Sequence, residues 1–447
     1  MITQVMRARR FRRSAVLLAA LAGVCAYACA ASGGASAAGS GIVLPHLTYP
    51  VTNFVKYVDG KAGAANPKLS PVLVGWVNNQ GGSVLVGPTA TQGAAVAAEW
   101  INQHAGGIDG HPIKLVDCEI PNTDAEGTTC GDQLAATKGL EAIAFGGVAV
   151  GASQVEAVVS PKIPIFIGVS VNPGDLTNPN TYIFGGGSAQ VSWPYGTFAH
   201  DILHAKNVAL LFPDSPGYTG PAASVVQTLK AEGIKTTSVA LDPSATDYVG
   251  PLEAANVAKD DIYINGTVAS CVEVAKALQQ LNVPGNHVFS TPLCLAAGVK
   301  SALGDYSKWY YSSAQDNLAA ARPEVKAYYK LLAQYGQSAS DEDPWYCTAF
   351  SEIMTAAQFM NSIAKEEGFA KVSTTTVAQA AKEWRGPFVL GQPNIRCGEY
   401  PNAPASCANQ QAFYLYKGNG KFVLASATKS NPTGFLGPPP SLQPPKS

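Results

Sequence analysis

Charge is scarce in this 447-residue chain: only 14% of residues are charged, 30 basic against 31 acidic, for a formal net charge of −1. With no net basic excess, a nucleic-acid partner is not expected. Catalytic signatures are missing too. There is no Gly-x-Ser-x-Gly elbow, no His-Glu-x-x-His and no phosphate-cradling Gly-x-x-x-x-Gly-Lys. No cysteine falls in a Cys-x-x-Cys pair, which argues against zinc ribbons and thioredoxin-type redox sites. His200 and His204 stand one helical turn apart, a metal-capable spacing, but no third ligand accompanies them. Neither an enzyme nor a resident metal or cofactor is called for. What is abundant is apolar surface, at 47% hydrophobic residues, enough for two or three folded domains at this length.

The first 30 residues hold no Asp or Glu. Five arginines, Arg7 to Arg13, precede an apolar run from Ala15 to about Cys29. That is the layout of an export signal, and the run is shorter than the roughly 18–20 residues that span a bilayer. The exported body is then mildly acidic. Ala28-Cys29 and Val24-Cys25 resemble lipoprotein processing sites, and cleavage after Ala30 or Ala37 is the competitor. The Gly/Ser/Ala-rich stretch after Cys29 favours a lipid anchor there. An oxidising compartment suits the seven body cysteines, for which the short-range pairings are Cys118–Cys130, Cys271–Cys294 and Cys397–Cys407. Cys347, flanked by Trp345, Tyr346 and Phe350, reads as a buried thiol.

After a leader (31–69) the pattern alternates between short apolar runs and helical periodicity. Strands are expected at 71–77, 113–118, 142–145 and 163–169, with helices at 91–104, 129–138 and 154–160 between them. The pattern restarts near Gly185-Gly186-Gly187. Helices are expected at 190–204, 220–232, 249–257 and 271–281, and strands at 208–212, 236–241, 261–265 and 287–291. Further on come a strand at 309–313, helices at 324–335, 345–365 and 375–384, and a hairpin at 413–416 and 421–425. The Pro-rich tail, 431–447, reads as disordered. Strands alternating with helices predict an α/β fold of two doubly wound, open parallel sheets covered on both faces.

Asn79-Gln80-Gly81-Gly82, Gly93 and Ala97 on a helix ending Ile101-Asn102, and Gly106-Gly107-Ile108-Asp109-Gly110 resemble the opening of type I periplasmic solute-binding proteins. These are the leucine/isoleucine/valine-binding type that feed ABC importers. The likeness continues through the Cys118 strand, the Gly146-Gly147 loop, the Asn172-Pro173 turn and the Asp214-to-Tyr218 loop, over about 70–425. It implies two lobes joined by a three-crossing hinge, with 70–187 plus 307–388 forming lobe one and 188–306 plus 389–430 lobe two. It also implies a small-molecule ligand held in the cleft, a membrane permease as partner, and a monomer. A ligand sensor reporting to a membrane receptor is the alternative, because fold alone does not choose.

Amino-acid binders of that family surround the ligand carboxylate with hydroxyls and backbone N–H groups, and hold the ammonium with a Tyr and an acid in lobe two. Here the first loop reads Gly147-Val148-Ala149-Val150-Gly151, with no Ser. Val171 falls where the family has Thr, with Ser170 one place early. Tyr218 matches a pocket Tyr, Thr267 falls at another Tyr position, and Leu293 stands about where the acid belongs. Gln80 follows the first strand, and Trp76 and Trp193 are further candidates for the cleft wall. An ammonium taken from water without a counter-charge costs several kcal/mol. The expected ligand is therefore neutral or anionic and partly apolar, not a free α-amino acid.

Overall fold

The computed structural model describes residues 42, 44–82, 88–170, 172–186, 192–315, 317–318, 320–337 and 344–443. The export signal, Cys29 and Val171 lie outside the described residues. No described helix is long and apolar enough to cross a membrane.

Five parallel strands make the first sheet: β1 (Val72–Asn78), β2 (Ile113–Glu119), β3 (Leu140–Phe145), β4 (Ile165–Ile167) and β5 (Thr181–Ile183), in the order β2-β1-β3-β4-β5. The second sheet has parallel strands β6 (Asn207–Pro213), β7 (Lys235–Leu241), β8 (Asp261–Ile264), β9 (Val288–Ser290) and β10 (Tyr310–Ser313). A separate two-stranded ladder joins β11 (Arg385–Gly386) to β12 (Ile395–Arg396). The hairpin β13 (Ala412–Tyr416) and β14 (Phe422–Leu424) adds to the second sheet antiparallel, giving β14-β13-β10-β9-β8-β6-β7.

The inner strands of both sheets are buried on both faces, whereas the edge strands β2 and β7 are largely exposed. In β6, Val208 and Leu210 face the helices Pro194–Asp201 and Pro216–Ala231. Ala209 and Leu211 face the helix Val268–Gln280. The first sheet packs Val74, Trp76 and Phe166 against the helix Pro344–Glu367, and Val77, Phe145 and Ile167 on the opposite face. Helix Pro344–Glu367 is buried continuously from Tyr346 to Ala364, although that stretch carries polar residues including Glu352, Gln358 and Asn361. The helix Asp124–Ala136 starts on a capping box between Thr123 and Glu126.

The chain passes between the two layers after β5, after β10, and again on the way to β13. Four boundaries differ from the sequence reading. Strand β10 pairs with Phe289 and Leu415 in the second sheet, whereas 307–388 was expected in lobe one. Val389, Leu390, Ile395, Cys397 and Cys407 pack in the first lobe's core, so the return to lobe two falls near residue 411, not 389. The leader is structural from residue 42: Phe54, Tyr57 and Val58 are buried in the first core, with Phe54 edge-on to Trp100 and Phe350. The tail is ordered through residue 443, because Phe435 and Leu436 are buried and Leu436 exchanges backbone hydrogen bonds with Gln411. Strand β5 lies outside the strands expected from the sequence, and the helix expected through residue 204 ends at Asp201.

All three expected disulfides are present, Cys118–Cys130, Cys271–Cys294 and Cys397–Cys407, and Cys347 is a buried free thiol.

Candidate functional site

Parallel strands place their C-terminal ends along one edge, and ligands of open α/β sheets bind in the crevice beyond that edge. Here the two such edges adjoin at the crossings. Gly168, just past β4, lies against Thr348 and Glu352 of helix Pro344–Glu367; a Cβ there would sit 2.0 Å from Thr348 Cγ2, so only glycine fits. Thr348 Oγ1 donates to Gln315 Oε1 at 2.9 Å, just past β10. The Tyr414 hydroxyl of β13 donates to the Gln315 carbonyl. Glu352 is fully buried and accepts the Gly168 N–H at 2.5 Å; burial, opposed by that bond, holds its carboxyl well above the usual carboxylate range.

The first-lobe edge is organised by a residue that the sequence reading passed over. Asn79 is fully buried, and its Oδ1 accepts from the N–H groups of Ala149 (2.6 Å) and Val150 (3.0 Å). Its Nδ2 donates to the carbonyls of Ile120 and Val150. Asp124 accepts from the Gly151 N–H, and Gly151 sits at φ +79° packed against Gly127 and Ile120, where a side chain would clash. Three N–H groups of the loop expected to face a ligand are thus bonded inside the lobe. Gly147 and Val148 are both buried, and their carbonyls accept from the Asn79 N–H and Asn172 Nδ2 respectively. A buried Asn at a strand end, next to a second Asn, was the available signal.

Other candidates are similarly committed. Gln80 is half-buried; its Oε1 accepts from Thr91 Oγ1 at 2.7 Å and its Nε2 donates to Glu119 Oε1 at 2.7 Å. The Ser170 hydroxyl, only 2% exposed, donates to Asp175 Oδ2 at 2.7 Å and to the Asn172 carbonyl. It braces its own turn. Trp76 is a core residue bonded to Thr91, and Trp193 packs edge-on against Tyr400.

In lobe two, Tyr218 lies in the first turn of helix Pro216–Ala231, half-buried, its hydroxyl pushed to a higher pKa by burial. Thr267 caps helix Val268–Gln280 by accepting the Ser270 N–H at 3.1 Å. Leu293 is half-buried on the turn after β9. The Cys271–Cys294 disulfide ties that turn to the helix that Thr267 caps. Tyr218, Thr267 and Leu293 thus sit at the ends of β6, β8 and β9 on one edge.

Behind the Ser170 turn lie two buried carboxyls. Burial raises Asp175 to about 6, against the lowering bond from Ser170; burial, then the charge of Asp175, raises Glu156 to about 7. Both hold protons more tightly in the folded chain than in the unfolded one. Their contribution to stability is therefore present at low pH and lost as pH rises through 6 to 7. Thermal melts are expected to show a lower midpoint at pH 8 than at pH 5, by on the order of 2 kcal/mol in stability. Glu156→Gln should remove most of that slope; an unchanged slope contradicts the assignment.

No cluster of three or more metal-capable side chains occurs among the described residues. Two wound sheets with adjoining strand-end edges and three interconnections define a two-lobed, hinged binding protein. The family model for periplasmic binding protein matches residues 71–406, and the chain belongs to that family. Solved structures share the fold at low identity. A leucine-binding protein, LivK, from Thermotoga maritima is 16% identical with a TM-score of 0.62, covering 79% of this chain and 97% of its own. A fatty acid ABC transporter substrate-binding protein from Thermomonospora curvata is 15% identical, TM-score 0.62, covering 82% and 93%. A Rhodopseudomonas palustris solute-binding protein in complex with p-hydroxybenzoic acid is 14% identical, TM-score 0.63, covering 79% and 95%. No curated protein matches.

Proposed function

We propose that this chain is the extracytoplasmic solute-binding component of an ABC-type importer. It captures a neutral or anionic, partly apolar organic compound between its lobes and delivers it unchanged to a membrane permease. The chain is held at the membrane by a lipid on Cys29, needs no cofactor, and performs no chemistry on the ligand.

One observation carries the ligand class: the polar groups of both strand-end edges are largely spent inside the lobes. Asn79 and Asp124 occupy three loop N–H groups, Asp175 takes the Ser170 hydroxyl, and Thr267 caps its own helix. What the edges present instead is the Tyr218 ring, Leu293 and the exposed Ala149 of the loop whose Gly147 and Val148 are buried. Leu293 supplies no counter-charge for an ammonium, and the acid nearest in the chain to Tyr218, Asp214, is solvent-exposed. Among relatives of this fold that bind leucine, a fatty acid or a hydroxybenzoate, the last two ligands match this chemistry. A thermal-shift screen of the mature protein tests the class. Aromatic and short aliphatic carboxylates or amides are expected to raise the midpoint, a ligand at a hundredfold over its Kd adding about 2.7 kcal/mol. Stabilisation confined to free α-amino acids overturns the reading.

A further inference from the structure

The family match covers 71–406, so the leader and the tail lie outside it, yet both are built into the molecule. The leader touches both lobes. Ile42, Val51, Phe54 and Tyr57 pack in the first lobe's core, while Tyr49 between them packs against the second lobe's core. Arg322 ends the second crossing and opens helix Pro323–Leu332, whose Val325, Tyr328 and Leu331 belong to the first core. Its Nε donates to Glu324 Oε1 at 2.7 Å, its Nη1 to the Thr433 carbonyl of the tail at 2.7 Å, and its Nη2 to the Tyr49 hydroxyl. Tyr49 in turn donates to Glu324 Oε1 at 3.0 Å, and the guanidinium lies 5.4 Å from the centre of its ring. Glu324 is 1% exposed, so the charges are paired largely out of solvent.

We infer that Arg322 and Glu324 on the first lobe, with Tyr49 of the leader and Thr433 of the tail on the second, form a latch beside the hinge. The leader and tail act as a strap that holds one lobe orientation, and breaking the latch frees the lobes to reorient. Apparent affinity depends on the fraction of molecules in the binding-competent orientation, so the latch tunes binding without touching the ligand. The inference rests on the two-lobe reading only in requiring lobes that move.

Nitroxide labels at exposed Lys138→Cys on the first lobe and Lys230→Cys on the second report the inter-lobe distance in the full mature chain without ligand. Tyr49→Phe removes one hydroxyl and Arg322→Gln removes the charge; both are expected to broaden or shift the distance distribution measured by pulsed electron resonance. The exposed substitution Lys429→Gln, just before the tail, should leave it unchanged. Tyr49→Phe is mild enough to fold even if Arg322→Gln is not. A distribution identical to the parent in folded latch variants overturns the inference. Because no ligand is present, failure of the ligand class in a binding screen leaves this outcome unaffected.

Discussion

Asn79→Ala lowers the stability of the chain by about 3–5 kcal/mol and abolishes ligand binding. The size follows from what the side chain satisfies. Two N–H groups, of exposed Ala149 and half-buried Val150, lose their acceptor, and two carbonyls, of Ile120 and Val150, lose a donor. Each stranded N–H costs about 1–3 kcal/mol, and the cavity left by the side chain adds to this. Binding goes with it because the loop that Asn79 holds lies at the C-terminal end of β3, on the edge proposed to face the ligand. Asn79→Asp separates the two roles. It keeps an acceptor for the N–H groups but offers no donor to the carbonyls, and should fall between the parent and Asn79→Ala in urea unfolding. Equal stability of the parent and Asn79→Ala would show that the loop holds its shape without this residue.

Removing the Cys271–Cys294 disulfide, by Cys271→Ala with Cys294→Ala, costs about 2–5 kcal/mol and weakens binding. Both sulfurs are fully buried, and the bridge pins the turn carrying Leu293 to the first helical turn after Thr267. Without it the β9 turn must be ordered on binding, at about 0.5–1.5 kcal/mol for each side chain immobilised. Removing Cys397–Cys407 instead loosens the stretch leading to the third crossing, where both residues pack in the first core. That pair should lose comparable stability while retaining most of the affinity. Denaturant melts and titrations of the two double variants distinguish them. Equal loss of binding in both would contradict the placement of Leu293 at the ligand edge.

The alternating pattern was legible because β1, β3 and β6 are continuous apolar runs bounded by glycine or proline, and such runs leave few alternatives. The disulfides were legible from spacing alone, since cysteines 10 to 23 residues apart form compact loops. Lobe membership was not, because it is decided by pairing over long distances. Nothing near Tyr310 announces that its neighbours are Phe289 and Leu415. The tail's proline content points to disorder, but two buried apolar residues, Phe435 and Leu436, suffice to dock a segment whose φ angles are already restricted. At the site, residue types pointed to the right loops but not to the direction of the side chains. Ser170 reads as a ligand contact in a one-dimensional alignment, and only the buried Asp175, five residues on, draws its hydroxyl inward. Asn79 was passed over for the same reason: its partners are 41 to 71 residues away.

Titration calorimetry of the mature chain with leucine and, in parallel, with 4-hydroxybenzoate and a short fatty acid bears most directly on what the cleft accepts. Micromolar binding of at least one carboxylate, with leucine weaker than millimolar and the bound compound recovered intact by mass spectrometry, is the expected result. Micromolar leucine binding, or recovery of a chemically altered compound, would contradict it.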